Sequence, residues 1–149
     1  MPASRTGIAW GGRVERSVTG AGGSFTSIPE ARGLAVPQPT TEFQDVTNLD
    51  SDNRTREFVK GLIDPGEITL AANYTSNGWE QQVADQARAD AIFYRVTMPT
   101  LAAQTAGDVF TFRGFPTPSI QADDVGTPIS MSITIRITGP VTFVKGAGA

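Results

Sequence analysis

The stretch ISMSITIRIT, residues 129–138, alternates apolar and polar side chains without interruption over ten positions. Successive side chains of a β-strand point to opposite faces, so this pattern predicts a strand with one face in a core and the other in water. The apolar face comprises Ile129, Met131, Ile133, Ile135 and Ile137, and the polar face comprises Ser130, Ser132, Thr134, Arg136 and Thr138. Gly139-Pro140 is predicted to end the strand, and residues 141–144 to add a short last one.

The segments before this strand also carry β patterns. EITLAANY, residues 67–74, follows the turn sequence Asp64-Pro65-Gly66 and places Ile68, Leu70 and Ala72 on one face. Further strands are predicted at 92–98 before Pro99, at 109–115 before Pro116 and Pro118, at 41–47, and, with an irregular or edge character, at 25–36.

One helix is predicted, with Asn77 as its N-cap and Glu80 three residues later as the reciprocal partner of a capping box. Asp85 is expected on the solvated face of this helix, paired with Arg88. The apolar stripe that would pack against a sheet comprises Trp79, Val83, Ala87 and Ala91. Many strands and a single helix predict a mainly β fold with one flanking α-helix.

Residues 1–24 are rich in glycine, with six of the 16 glycines of the chain, and such a composition does not build a core. This segment is therefore predicted to be an N-terminal arm, and residues 25–146 to form the folded domain. Ile8 and Trp10 are candidate anchors through which the arm docks, because an exposed tryptophan forgoes the burial of a large apolar surface. The alternative is a frayed terminus with an incidental aromatic residue.

The sequence NLDSDNRTREFVKG, residues 48–61, is the longest polar connection after the arm, and it carries charges of both signs. A structureless connection of this length inside a compact domain is usually functional or mobile. It resembles a calcium-binding loop only at its start. Thr55 stands where that loop needs glycine, and Gly61 stands where it needs a bidentate glutamate, so calcium binding is not expected here.

The composition excludes most enzyme chemistry. A chain of 149 residues without cysteine or histidine has no thiol nucleophile, no Cys/His zinc site and no imidazole base, so no metal, cofactor or catalytic site is expected. A carboxylate pair drawn from Asp123 or Asp124 and from Glu67 or Asp108 has nothing in the sequence that would bring its members together. The formal net charge of −3 argues against tight binding to a phosphate backbone. No signal peptide or membrane-length apolar span is seen, so membrane insertion is not expected.

The order of these elements resembles a known family over residues 67–140. EITLAANY, the helix beginning near Gly78, the strand end Phe112-Arg113-Gly114-Phe115 and the final ITIRITGP follow the order and spacing of the major tail tube proteins of long, non-contractile-tailed, lambda-like bacteriophages. This resemblance implies a β-sandwich or barrel-like fold with one flanking helix. It also implies a hexameric ring that stacks into a tail tube, located in the virion tail after assembly in the host cytoplasm.

The same resemblance implies partners. These are further copies of the chain, the tape measure protein, the tail terminator and tail tip proteins, and double-stranded DNA that passes through the lumen without specific binding. Since the sequence ends soon after its last predicted strand, the immunoglobulin-like C-terminal domain of the lambda protein is expected to be absent.

Residue roles carry over from the resemblance as hypotheses. Residues 48–61 correspond to the loop that reaches the adjoining ring. The candidate inter-ring contacts are Asp50, Asp52, Arg54 and Arg56, and the candidate lumen-facing or interface strand is the polar face Ser130, Ser132, Thr134, Arg136 and Thr138. Two alternatives remain: the hexameric tube protein of a bacterial secretion system, and a capsid-decorating or receptor-binding β-module.

Overall fold

In a computed structural model, the structure describes residues 10–20, 22–101 and 104–148, and within them β-strands dominate. The strands are β1 (Arg13–Ser17), β2 (Thr26–Ser27), β3 (Thr40–Asp45), β4 (Phe58–Asp64), β5 (Glu67–Asn73), β6 (Ile92–Thr97), β7 (Val109–Gln121) and β8 (Ser130–Val144), with a short 3-10 helix at Asp52–Arg54 and one α-helix, α1 (Ser76–Gln86). The predicted mainly β fold with one flanking helix is confirmed.

Six strands form one curled antiparallel sheet in the order β2-β1-β6-β7-β8-β5, and β3 and β4 form a separate two-stranded sheet. The chain after β2 joins the two ends of the large sheet. The amide of Arg32 donates to the carbonyl of Ala71 at 2.9 Å, and the amide of Asn73 donates to the carbonyl of Glu30 at 3.0 Å. The large sheet therefore closes into a barrel-like body that covers the edges of its terminal strands.

The core lies inside this body. Apolar residues at alternate positions of β5, β6 and β8 point inward and are buried, as a strand with one wet face requires. The buried apolar residues are Val14, Ile28, Ile68, Leu70, Ala72, Ile92, Tyr94, Val96, Phe112, Met131, Ile133, Ile135 and Ile137. The predicted alternation of 129–138 is thus confirmed for its last four apolar members, while Ile129 lies before β8 and is exposed.

The predicted end of the last strand at Gly139-Pro140 is wrong, because β8 continues to Val144. On β7, Thr111 and Arg113 are two residues apart, but their partners Thr142 and Thr138 on β8 are four residues apart. The extra residues form a bulge, and Gly139 occupies it with a φ of 80°, which glycine adopts without steric cost. A Gly-Pro pair can therefore sit inside a long strand at a bulge.

The predicted end of the preceding strand at Pro116 and Pro118 is also wrong, because β7 continues to Gln121. The last pair between β6 and β7 is Ile92 with Gly114. Beyond it, within the described part of the chain, β7 has a strand partner only in β8. A proline is tolerated in a strand that has a neighbour on one side alone, because its missing amide need not remove a hydrogen bond from the sheet. Helix α1 packs against β7.

Part of the predicted arm belongs to the body of the protein. Residues 13–17, which the sequence placed outside the core, form β1 between β2 and β6, and Val14 and Ser17 are buried. Conversely, the edge strand predicted at 25–36 is reduced to the two residues of β2. The glycine-rich average of residues 1–24 concealed a five-residue segment that pairs with β6 over its whole length.

The helix begins at Ser76, with Thr75 as its N-cap in place of the predicted Asn77. The hydroxyl oxygen of Thr75 accepts a hydrogen bond from the amide of Gly78 at 3.0 Å. The predicted apolar stripe is largely wrong, because Val83 and Ala87 are exposed, while Trp79 packs partly buried against the core. The buried helix residues are instead Gly78, Gln82 and Asp85.

Candidate interaction surfaces

The region predicted as a long polar loop connects the two strands of a β-hairpin. β3 and β4 pair antiparallel from Thr40 with Asp64 to Asp45 with Phe58. Residues 58–61, predicted as loop, begin β4, so only residues 46–57 connect the two strands. A register shift between Thr41 and Phe43 marks a bulge in the hairpin. We call residues 40–64 the hairpin and residues 46–57 its tip.

The hairpin strands bury none of their residues. The exposed fractions are 59% for Phe43, 81% for Leu62 and 63% for Ile63, values typical of side chains without a packing partner. A lone two-stranded hairpin is at best marginally stable in water, and contiguous exposed apolar surface marks interaction sites. The exposed large apolar residues of the hairpin and its tip are Phe43, Val46, Leu49, Phe58, Val59, Leu62 and Ile63.

The four predicted inter-ring residues lie together on the tip. Asp50, Asp52, Arg54 and Arg56 are all exposed, and the described residues give none of them an ion-pair partner within 4 Å. Asn53, between them, has a φ of 53°, and Arg54 has a φ of 60°, a left-handed conformation that side chains other than glycine rarely adopt. Such strained backbone occurs at functional sites.

Local hydrogen bonds hold the tip in shape. The hydroxyl of Ser51 donates to the carboxylate of Glu57 at 2.9 Å, and the side-chain oxygen of Asn48 accepts from the amide of Asp50 at 2.8 Å. The hydroxyl and the amide of Thr47 form hydrogen bonds to the carboxylate of Asp45, and these bonds hold the pKa of that carboxyl below its usual range. The tip therefore presents its free arginine side chains from a hydrogen-bonded loop.

The base of the hairpin is tied to the body at β8. Asp64 accepts a hydrogen bond from the amide of Gly66 at 2.9 Å and forms an ion pair with Arg136 at 3.3 Å. The carbonyl of Gly66 accepts from the amide of Ile137 at 3.0 Å. A groove of about 240 Å³ separates the hairpin base from the bulge of β8. It is lined by Pro39, Ile63, Pro65, Gly139, Pro140 and Val141.

The predicted polar strand face lies on the outer surface of the body. Ser132 pairs with Ala71 of β5 and Ser119 of β7, so three strands contribute to one row of small side chains. In the next row, Thr134 pairs with one residue of β5 and one of β7. The hydroxyl oxygen of Thr134 lies 3.5 Å from that of Thr69 on β5. The members Ser130, Ser132, Thr134 and Thr138 are partly buried, and Arg136 is exposed. Whether this face lines a lumen stays a prediction.

A second apolar surface lies at the far end of β7 and β8. The rings of Phe110 and Phe143 pack with their centroids 5.0 Å apart. Phe143 is 54% exposed and Val144 is 56% exposed. These residues lie beyond Arg136, the last residue of β8 that pairs with β5.

Of the two predicted arm anchors, Ile8 lies outside the described residues. Trp10 is 87% exposed and lies beside Gly11, Gly12, Ala31 and Arg32 around an open pocket. An indole this exposed gains nothing from its own chain. Its role as an anchor stays a prediction.

A buried ion pair under the helix was missed by the sequence analysis. The guanidinium of Arg16 donates two hydrogen bonds to the carboxylate of Asp85, and the side chain of Asp85 is only 1% exposed. The prediction that Asp85 faces solvent beside Arg88 is therefore wrong. Arg16 lies two residues after the buried Val14 in β1, and residues at this spacing share one face of a strand. This spacing was the signal in the sequence that the side chain of Arg16 points inward.

Two buried polar groups lie without hydrogen-bond partners among the described residues: the hydroxyl of Tyr94 and the side-chain carbonyl of Gln82. Tyr94 pairs in register with Arg16 across β1 and β6, and its ring stacks on Phe112. Burial, and next the negative charge of Asp85, raise the pKa of the Tyr94 hydroxyl well above its usual range. These two groups and the Arg16–Asp85 ion pair form an inward-facing polar cluster under the helix.

The candidate catalytic carboxylates have structural roles or stand alone. Asp108 accepts hydrogen bonds from the amide of Gly146 at 2.7 Å and from the side chain of Gln104 at 3.1 Å. Within residues 10–20, 22–101 and 104–148, no three acidic residues lie close enough together to hold a metal ion. The one α-helix in these ranges is too short to cross a bilayer.

The fold is shared with subunits of phage-like particles, although no family model and no curated protein sequence matches the chain. A subunit from the tail of an empty gene transfer agent particle, refined with helical C6 symmetry, superposes with a TM-score of 0.70 at 18% identity, covering 93% of this chain and 99% of that one. A subunit from the six-fold anti-feeding prophage baseplate gives 0.68 at 10% identity, covering 96% and 98%.

A third similar structure comes from the sheath/tube terminator of an extracellular contractile injection system, with a TM-score of 0.66 at 11% identity over 96% of this chain and 99% of that one. The fold is thus one found in tail, baseplate and terminator assemblies. The expected resemblance to tail tube proteins is confirmed at the level of the fold, whereas these matches do not single out the lambda-like, non-contractile type.

Proposed function

We propose that this chain is a tube-forming structural subunit of a phage-like tail or injection particle, which assembles with copies of itself into stacked rings. The hairpin carries this proposal, because it exposes large apolar side chains, and exposed apolar surface marks sites of interaction with other molecules. The similarity of the whole chain to subunits of tail and baseplate particles supports the choice of further copies as that molecule.

The proposal gives the charged tip and the polar face of β8 different roles. Arg54 and Arg56 on the tip pair with carboxylates of a copy in the adjoining ring, which we propose to be a ring of six. The polar face of β8 lines the lumen, where four small Ser and Thr side chains accompany Arg136. These side chains and a net charge of −3 let a polyanion pass without binding tightly. Tape measure protein and double-stranded DNA would pass there, and tail terminator and tip proteins would bind the ends.

Negative-stain electron microscopy of the purified chain tests the proposal directly. Hollow tubes of uniform width, formed on concentration, are the expected result. The variant Leu62→Ser is expected to abolish them while leaving a folded monomer, whereas the matched control Val125→Ser, at a fully exposed loop residue, keeps them. Discrete trimers or a persistent monomer of the unmodified chain would instead support a decorating or receptor-binding module.

The role of the tip is tested by the double variant Arg54→Ala/Arg56→Ala. Exposed ion pairs are individually weak and sensitive to salt, so rings are expected to form but to stack into shorter tubes, most visibly at high ionic strength. Arg88→Ala, at an exposed position beyond the helix, is the control. Tubes of normal length in the double variant would contradict the inter-ring role.

The lumen assignment is tested by labelling Ser132→Cys, because the chain has no other cysteine. A bulky thiol reagent is expected to label this variant in the monomer and not in tubes. Val125→Cys should be labelled in both states if the β7–β8 turn faces outward. Equal labelling of Ser132→Cys in monomers and tubes would contradict the assignment of β8 to the lumen.

A further inference from the structure

Each of the strands β6, β7 and β8 carries one arginine on the outer face of the body, and these are Arg95, Arg113 and Arg136. Arg95 forms an ion pair with Glu15 at 3.0 Å. Arg136 forms one with Asp64 at 3.3 Å. Among the described residues the exposed Arg113 has no such partner, so its positive charge is available to a ligand.

The side chain of Arg113 lies over the bulge of β8. A Cβ atom on residue 139 would lie 3.0 Å from Nε and 3.2 Å from Nη2 of Arg113, which is closer than an ordinary contact. Gly139 therefore meets two requirements at once, a φ of 80° and the space that the guanidinium occupies. The bulge determines where this guanidinium lies on the outer face.

A pocket of about 260 Å³ opens beside this guanidinium. It is lined by Phe93, Thr111, Phe112, Arg113, Pro140 and Thr142. Thr111 and Thr142 pair in register across β7 and β8, and Arg113 lies two residues after Thr111, so the three side chains share one face. The pocket thus combines a guanidinium and two hydroxyl groups as hydrogen-bond donors.

We propose that this pocket binds a phosphate group of a nucleic-acid backbone, an inference that rests on the proposed function for the source of the phosphate. A guanidinium donates parallel hydrogen bonds to phosphate, and threonine hydroxyls donate to phosphate oxygens as well. A phosphate group is tetrahedral and accepts from donors on several sides, whereas the oxygens of a carboxylate lie in one plane. Phe93 and Pro140 give the pocket apolar walls, which suit an attached sugar better than a free, hydrated phosphate ion.

The pocket is continuous with the polar face of β8. Thr138, the last member of that face, pairs in register with Arg113. Each phosphate contact adds a small, salt-sensitive contribution to the binding of a polyanion, so one contact per copy positions a passing duplex without holding it tightly. The site therefore adds a point of contact to a surface that otherwise lets the polyanion pass.

An amide NMR titration of the unassembled chain with inorganic phosphate, at constant ionic strength, tests the site. Shifts are expected at the amides of residues 111–113, 141 and 142, with a Kd on the order of millimolar. Arg113→Gln is expected to weaken binding at least about 10-fold. Arg113→Lys keeps the charge without the planar fork and should weaken it less.

The matched control is Arg88→Gln, at an exposed arginine beyond the helix, and it should leave phosphate binding unchanged. Thr142→Val removes one hydroxyl from the pocket and is expected to weaken binding about 3-fold. Equal losses in Arg88→Gln and Arg113→Gln would overturn the site, and so would shifts spread over the whole surface.

A short DNA duplex tests the source of the phosphate. At low salt the duplex is expected to shift the same amides and to displace inorganic phosphate, and Arg113→Gln should reduce the salt dependence of its binding by about one phosphate contact. Phosphate binding that the duplex does not displace would overturn the nucleic-acid source. Tubes of a chain that binds no phosphate would overturn the site and leave the tube proposal standing. Binding by a chain that never forms tubes would support the site and overturn the tube proposal.

Discussion

The two sheets of this protein differ in what they bury. The closed six-stranded body holds a continuous apolar core, in which Ile133 and Ile135 are completely buried. The two-stranded hairpin has apolar side chains of similar size, yet Leu62 is 81% exposed and Ile63 is 63% exposed. Both regions are β-structure from one chain, so strand propensity alone does not distinguish them.

This difference separates folding from assembly. The body packs an apolar core from its own strands, so we expect it to fold without a partner. The hairpin gains little stability from contacts within its own chain, and its apolar side chains remain available for contact with another molecule. Substitutions in the body should therefore change monomer stability, and substitutions in the hairpin should change assembly with little effect on the monomer.

The largest effect is expected from Asp85→Ala in the body. Removal of this carboxylate leaves the buried guanidinium of Arg16 unpaired, which costs about 3–5 kcal/mol in the free energy of unfolding. Urea unfolding of the monomer measures it. Arg88→Ala, one turn away and exposed, should stay within about 0.5 kcal/mol of the unmodified chain. Equal, small effects of the two variants would contradict the buried ion pair.

A direct comparison of the two sheets comes from Ile133→Ala and Leu62→Ala. Loss of a completely buried isoleucine side chain is expected to cost about 2–5 kcal/mol, whereas loss of the exposed leucine should change the monomer by about 0.5 kcal/mol or less. Thermal unfolding measures both, and sedimentation measures assembly. If Leu62→Ala destabilised the monomer as much as Ile133→Ala, the hairpin would already have a partner in its own chain.

A smaller effect is expected from Thr75→Ala at the start of α1. The variant loses the hydrogen bond from the amide of Gly78 to the Thr75 hydroxyl, at a cost of about 1 kcal/mol in monomer stability. Asn77→Ala removes the residue first predicted as the cap and should cost less. The opposite order, measured by urea unfolding, would restore Asn77 as the N-cap.

The smallest effect at neutral pH is expected from Tyr94→Phe. The hydroxyl has no partner among the described residues, so its removal should change stability by about 0.5 kcal/mol or less at pH 7.

At high pH the same variant should differ from the unmodified chain. Folding raises the pKa of Tyr94 above its ordinary value of 10.0. Its contribution to the free energy of unfolding is therefore complete below pH 10, and it is lost above pH 10, where Tyr94 ionises in the unfolded chain. The free energy of unfolding, measured at several pH values above 10, should therefore fall less steeply with pH for Tyr94→Phe than for the unmodified chain. Identical slopes would contradict the raised pKa.

The sequence predicted those parts of the body in which a strand has one wet face. The alternation of Ile68, Leu70 and Ala72 and that of β8 identified the inward residues, because a period of two has no other common interpretation. Prediction from the sequence failed where a neighbouring strand determines where a strand ends. Pro116 lies inside β7 only because β6 has already ended beside it.

The polar cluster under the helix could not be predicted from local sequence patterns, for a related reason. Asp85 and Arg16 are 69 positions apart, and each alone resembles an ordinary surface residue. Helical periodicity ranked Val83 above Gln82 as a buried residue, and tertiary packing reversed that order. Of the proposed surfaces, the sequence located the charged tip residues and, at 41–47, the first strand of the hairpin. It missed β4, since Phe58 and Leu62 lay inside or beside a predicted loop.

The short connection at Pro65-Gly66 has a mechanical consequence. A pull on the hairpin tip travels along β4 and enters β5 through only two residues. The load then runs along β5, where seven residues pair with β8, and it stretches those hydrogen bonds together in shear instead of opening them one at a time. The Asp64–Arg136 ion pair and the hydrogen bond from Ile137 to Gly66 lie at the point of entry. The hairpin is thereby coupled in tension to β8, in which Ile133 and Ile135 are completely buried.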